Sequence, residues 1–97
     1  MREFLRGAVQ LHVLHHAAQR SIDGAWMSEE LAHHGYRISP GTLYPTLHRM
    51  EDEGLLASTD ELVDGRRRRR YRATRDGRRV LRSTRRALRE LADEVLD

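Results

Sequence analysis

The period of the hydrophobic pattern changes at Gly54, and that change decides which folds are open to the chain. Before it, apolar residues recur at helical spacing; after it, they do not. Leu55 to Val63 and Arg68 to Ala73 flank Asp64-Gly65, a two-residue pair that strongly favours a tight hairpin. Within the second strand Tyr71 and Ala73 share one face, and Arg68, Arg70 and Arg72 share the other. A helical half, one hairpin and a helical tail leave little choice of architecture.

Three helices are expected ahead of the hairpin. Glu3 to Arg20 carries apolar residues at 4, 5, 8, 11, 14 and 18, the recurrence of a helix with one apolar face. Ser21-Ile-Asp-Gly24 interrupts it. Ala25 to His34 reads as a short second helix with Met27 and Leu31 turned inward, and Gly35 is suited to end it. Ser39 caps a third helix with Pro40 at its first position, and Leu43, Leu47 and Met50 form its buried face. Pro45 lies past the first turn and should remove one hydrogen bond and bend the helix slightly. Behind the hairpin, Thr74 caps a fourth helix running to the C-terminus. Leu81, Thr84, Leu88, Leu91 and Val95 repeat at spacings of 3, 4, 3 and 4, a heptad-like seam that calls for a partner. About 24 helical residues would span ~36 Å, too long for a three-helix core to cover. The fold class is therefore mainly α with a β-hairpin wing, a winged helix-turn-helix in the order α-α-α-β-β-α. Residues 1–73 form the DNA-binding domain in this reading, and residues 74–97 a C-terminal dimerisation helix.

Charge is distributed unevenly. Thirteen arginines lie between Arg66 and Arg89, opposed there by Asp76 alone, although the net charge of the chain is only +3. A local positive field steers a protein to phosphate. All 18 basic residues are arginine. Arginine pairs with phosphate in a bidentate fork, but GC-rich codon usage accounts for missing lysine equally well. With no cysteine there is no disulfide, thiolate ligand or cysteine nucleophile. No apolar run reaches the ~18–20 residues of a membrane span and no signal peptide is visible, so a cytoplasmic protein is expected. Nothing resembles a Gly-rich phosphate loop or a nucleophile–base–orienter set, so the chain is not expected to be an enzyme.

Ser39-Pro-Gly-Thr-Leu-Tyr-Pro-Thr-Leu-His-Arg-Met-Glu-Asp-Glu-Gly-Leu-Leu56, then Gly65 with an arginine run to Tyr71-Arg-Ala-Thr74, then Gly77, resemble the PadR family of bacterial transcriptional regulators. The resemblance covers roughly residues 8–82. Short length and a single C-terminal helix are similar to the compact subfamily. It implies a homodimer joined by C-terminal and first helices, two recognition helices on a palindromic double-stranded operator, and repression relieved by an effector. Two features depart from the pattern. Gly24-Ala-Trp26 stands where the family commonly has Gly-Tyr. Some compact members stack drug-like molecules on a tryptophan of the last helix, and no aromatic residue follows Tyr71 here.

Candidate sites follow, each with a plainer competitor. Ser39, Thr42, Tyr44, Thr46 and Arg49 lie off the buried seam of the third helix and are suited to phosphates and base edges; the alternative is an ordinary solvated face. Arg66, Arg67, Arg68 and Arg70 are the candidate phosphate contacts of the wing, against a run that merely solubilises. Leu81, Leu88, Leu91 and Val95 are the candidate dimer seam. His12 and His16 have the i, i+4 spacing that presents two imidazoles to one zinc-like divalent ion. Glu3, His33 or His34, or Glu90, Asp93 and Glu94 across a dimer, are possible further ligands. Hydrogen-bonded histidines lining the dimer contact are the alternative, and a pH sensor is a third reading. No cofactor is required by any of these readings. Trp26 is core, pocket wall or an effector-stacking residue. The leading function is a dimeric, sequence-specific DNA-binding repressor; the alternatives are a metal-responsive regulator with its histidine site at the dimer contact, or a winged-helix module for protein or RNA.

Overall fold

The computed structural model describes residues 1–96; Asp97, the last residue of the expected fourth helix, lies outside the described residues. Its elements are α1 (Arg2–Gln19), α2 (Gly24–His33), α3 (Pro40–Asp52), β1 (Leu56–Val63), β2 (Arg66–Ala73) and α4 (Arg75–Val95). Order and type match the expected α-α-α-β-β-α, a winged helix-turn-helix.

Local chemistry sets most boundaries. Asp23 caps α2, accepting the Trp26 amide at 2.7 Å. Thr74 caps α4, accepting the Gly77 amide at 2.9 Å. Ser39 is the N-cap of α3, but not through its side chain: its hydroxyl meets Thr42 Oγ1 at 3.3 Å and no helical amide. Pro40 already occupies the first helical position, where a missing N–H is harmless. α3 continues through Pro45 as one element. In the hairpin, Asp64 and Gly65 both take positive φ, 53° and 76°, the mirror-image turn that matches strand twist. β1 and β2 pair antiparallel from Leu56↔Ala73 to Val63↔Arg66, so the second strand starts two residues earlier than expected.

The core is built from one stripe of each element. Val9, Val13, Leu14 and Ala17 of α1, Met27 and Leu31 of α2, and Leu43, Leu47 and Met50 of α3 enclose Leu55, Leu56, Tyr71 and Leu81. This corrects the expected face of α1. Phe4 and Leu5 are exposed and Leu11 only half-buried, while Val9 and Val13 are inside. The helix is apolar around much of its circumference, so recurrence alone does not locate the stripe that meets the core.

Two joints were not legible in the sequence. The segment after α1 pairs with the hairpin: Ile22 and Tyr71 exchange backbone hydrogen bonds of 2.9 and 2.8 Å. This isolated bridge fastens the base of the wing to the helix-turn-helix. Gly77 lies against the Leu55 backbone, where any Cβ would collide with the carbonyl, and Leu14 closes in at 3.4 Å. Leu81, one turn on, is buried in the protomer's own core. The first two turns of α4 therefore belong to the core, and the rest projects from it, in a molecule 52 × 28 × 20 Å in extent.

Candidate nucleic-acid interface

The outer face of α3 and the wing form one surface. Leu43, Leu47 and Met50 hold α3 to the core, which leaves Ser39, Thr42 and Tyr44 exposed and Thr46 and Arg49 half-buried. Tyr44 leans over the start of α2: a Cβ on Gly24 would come within 2.9 Å of its hydroxyl oxygen. That close approach explains why a glycine stands at the first position of α2. Tyr44 and His48 of α3 share a groove of ≈ 450 Å³ with Asp23 and Arg66 to Arg69. His48 is exposed and was missed in the sequence. Its position one turn after Tyr44 would have pointed to it.

The arginines of this surface are not equivalent. β1 sets Asp60 opposite Arg69 and Glu61 opposite Arg68 in the ladder. Arg69 is 3.9 Å from Asp60, Arg70 pairs with Glu61, and Arg68 reaches Asp23 at 3.5 Å. Among the described residues Arg66 and Arg67, at the tip, have no such partner. The pairs are at least partly exposed, so each holds its arginine weakly, by ~0–1 kcal/mol, and a phosphate can compete for it. Arg49 is held more firmly than its sequence position suggests: it donates to Gln10 Oε1 of α1 at 3.3 Å and to Glu53 Oε1 at 3.2 Å. Thr46 spends its hydroxyl proton on the Thr42 carbonyl, at 2.9 Å. Arg2 and Arg6 of α1 line a second groove with Thr42, Thr46 and Arg49 and were not singled out in the sequence.

α1 and α4 bound an apolar groove of ≈ 630 Å³ lined by Phe4, Ala8, Leu11, His15, Leu88 and Leu91. Leu88 is 47 % exposed, Leu91 45 % and Val95 61 %, whereas Leu81 of the same seam is spent on the core. Arg85 donates to His15 Nδ1 at 2.8 Å, which fixes that nitrogen as an acceptor.

Above the groove the histidines converge. One ring nitrogen from each of His12, His16 and His34 lies within 4.8 Å of the others. Burial pushes the pKa of His12 and of His16 below the ordinary value of 6.5, and neighbouring imidazoles push the same way. Of the third ligands considered from the sequence, His34 is the one brought within reach of both His12 and His16, and Glu30, beside it, was not foreseen. Trp26 packs edge-on against His16 with centroids 5.2 Å apart, and the Arg20 guanidinium covers its ring 4.9 Å from the centroid. The indole is thus a wall of the histidine cluster.

A helix-turn-helix whose last helix presents hydroxyl and aromatic groups beside an arginine-tipped wing defines a winged-helix transcriptional regulator. Comparison with known proteins agrees. Residues 13–83 match the transcriptional regulator PadR-like family. The chain is 65 % identical over 96 residues to transcriptional regulator Rv3488 of Mycobacterium tuberculosis (strain ATCC 25618 / H37Rv), covering 99 % of this chain and 90 % of the relative. A PadR family transcriptional regulator from Eggerthella lenta DSM 2243 superposes with a TM-score of 0.80 at 36 % identity, over 96 % of this chain and 79 % of that one. A PadR-like transcriptional regulator from Bacillus cereus strain ATCC 14579 gives 0.86 at 27 % identity, over 96 % and 92 %. The chain belongs to the PadR-like family of transcriptional regulators, and its role is regulatory, not enzymatic. None of its described helices is long and apolar enough to cross a membrane.

Proposed function

We propose that the chain acts in the cytoplasm as a homodimer that binds a palindromic double-stranded operator and represses transcription until an effector relieves it. The observation that carries this reading is the single groove joining Tyr44 and His48 of α3 to Arg66–Arg69 of the wing. A helix seated in the major groove needs polar side chains at its exposed face that reach phosphates and base edges, and a wing beside it needs unpaired cations for the flanking phosphates. Ser39, Thr42, Tyr44, Thr46 and Arg49 supply the first set. Arg66 and Arg67 supply the second, with Arg68 and Arg70 recruited from their acids when phosphate arrives. The exposed Leu88, Leu91 and Val95, with Phe4 lining the same groove as Leu88 and Leu91, support the dimer as an apolar surface that a second copy would cover. Two recognition helices would then address half-sites about one turn, ~34 Å, apart. Selection of bound genomic fragments, with duplex RNA as competitor, tests the reading. Enrichment of one inverted repeat supports it, and equal retention of RNA would overturn it.

A second reading concerns the effector. Convergence of His12, His16 and His34 favours a divalent ion of the zinc type as the signal. Operator affinity measured with and without Zn²⁺ decides between this and an organic effector held elsewhere in the α1–α4 groove.

A further inference from the structure

We infer that each protomer holds its own complete site for a zinc-type divalent ion, formed by His12 and His16 of α1 with Glu30 of α2 and His34, the residue that caps the end of α2. The inference rests on the metal-effector reading for its biological use, and differs from a shared dimer site in the source of its ligands. Two i, i+4 pairs on two helices face each other: His12 and His16 from one, Glu30 and His34 from the other. One helical turn separates the members of each pair, so both point to the same side. Glu30 Oε1 already lies 3.6 Å from His16 Nε2 and 3.3 Å from His34 Nε2. In a tetrahedral zinc site with bonds of ~2.0–2.1 Å, neighbouring donor atoms are ~3.4 Å apart. The carboxylate is therefore at ligand spacing, and the three ring nitrogens, within 4.8 Å of one another, close on it by side-chain rotation of the order of 1 Å.

The surroundings fit an ion better than a purely structural cluster. His16 Nε2, the nitrogen that faces the cluster, stops 3.6 Å from Glu30 Oε1 while Nδ1 is buried without a hydrogen-bond partner, so the ring is not tied to a structural acceptor. His12 lies against His34 with centroids 4.9 Å apart and the rings tilted by 36°, which holds two imidazoles together. Three imidazoles and one carboxylate suit a borderline ion such as Zn²⁺; Mg²⁺ and Ca²⁺ demand oxygen-rich sets, and no thiolate is present for Cu(I). His15 takes no part, because its Nδ1 is occupied by Arg85. The acids of α4 are not needed. The position also suggests a use. His34 directly precedes the Gly35–Ile38 link into α3, and Tyr36 of that link packs edge-on against His12 at 5.1 Å. An ion would clamp the end of α2 to α1 and so reach the recognition helix within one protomer.

Calorimetric titration of the purified full chain with Zn²⁺, without DNA, tests the site. One ion per chain is expected, with Mg²⁺ failing to compete at equal concentration. His34→Ala should weaken binding at least ~100-fold, beyond the ~10–100-fold typical of an outer-shell partner, and Glu30→Gln by at least ~10-fold. Both residues lie at the surface end of α2, so both variants should fold, with wild-type circular dichroism as the check. His33→Ala and Glu94→Gln should bind as the wild type does. Failure of the wild type to bind, unchanged binding by His34→Ala, or half an ion per chain would each overturn the inference. Zinc binding with unchanged operator affinity would support the site and sink the effector reading. Operator binding without metal separately tests the DNA-binding reading.

Discussion

Five consecutive arginines, Arg66 to Arg70, look uniform in the sequence and are not so in the structure. Arg68, Arg69 and Arg70 each have an acid within reach, and among the described residues the tip pair does not. Arg66→Ala with Arg67→Ala should therefore weaken specific and non-specific duplexes alike. It should also flatten the log–log salt dependence by up to ~0.9 per lost phosphate contact. Arg69→Ala should do less per arginine, because Asp60 already partly neutralises the charge that is removed. Anisotropy titrations across a salt series make the comparison per arginine removed, and a slope change for Arg69→Ala as large as half that of the double variant would show that the ion pairs do not matter. On α3, Thr42→Ala should change preference among operators by ~1–3 kcal/mol if its hydroxyl meets a base. Arg49, tied to Gln10 and Glu53, has to exchange those bonds before it can read anything. If Arg49→Ala weakens every sequence equally, the residue is a clamp on phosphate or on α1.

Helix α4 works at the element scale, and its two halves do different jobs. Its first turns are locked to the core by Gly77 and Leu81, with Thr74 as cap and as donor to the Gly54 carbonyl. Gly77→Ala should gain up to ~1 kcal/mol in helix propensity. It loses more, because the new methyl meets the Leu55 carbonyl, and overpacking of this kind costs ~1–3 kcal/mol. Urea denaturation should show a lower midpoint with an unchanged slope; a stabilised variant would mean the two backbones separate easily. The second half of α4 carries Leu88 at 47 % exposure. Leu88→Glu should leave the protomer folded but put a charge into the proposed interface, where an unpaired charge is costly. Sedimentation should then report a monomer with poor operator affinity, and a persistent dimer would relocate the interface.

For the whole molecule, pH dependence follows from the histidine cluster. His12 and His16 both have folded pKa values below 6.5, first through burial and then through neighbouring imidazoles, with Glu30 opposing. A depressed folded value means that the unfolded chain binds protons first as pH falls. The stability contributed by keeping these rings neutral is therefore present above ~6.5 and is lost as pH falls from there through the folded values. The groups around them are His15, His34, Glu30 and Arg20, so protonation anywhere in the cluster raises the cost of the next proton. Melting temperature in chelator-treated buffer should fall between pH 7 and pH 5, and His12→Gln/His16→Gln should flatten the slope. An equally steep slope in that variant would place the sensitive groups elsewhere.

Local rules were enough for the element order. Gly54, the Asp64-Gly65 turn, Pro40 and the Thr74 cap act over a few residues, so the sequence alone determined which helices and strands occur and in what order, while β2 begins two residues ahead of the expected start. It also determined the face of α3, because that helix has one narrow apolar stripe. The exposed face of α3 was legible for the same reason, His48 apart. What tertiary structure decided concerns contacts between residues far apart in the chain. α1 has apolar residues on two sides, and only packing shows that Val9 and Val13 face the core while Phe4 and Leu11 face the groove. Leu81 belongs to a regular seam by spacing and to the core by position. Strand register chose which wing arginines meet acids. Two helices crossing at a particular rotation brought Glu30 and His34 to His12 and His16, and no spacing within one helix encodes that meeting.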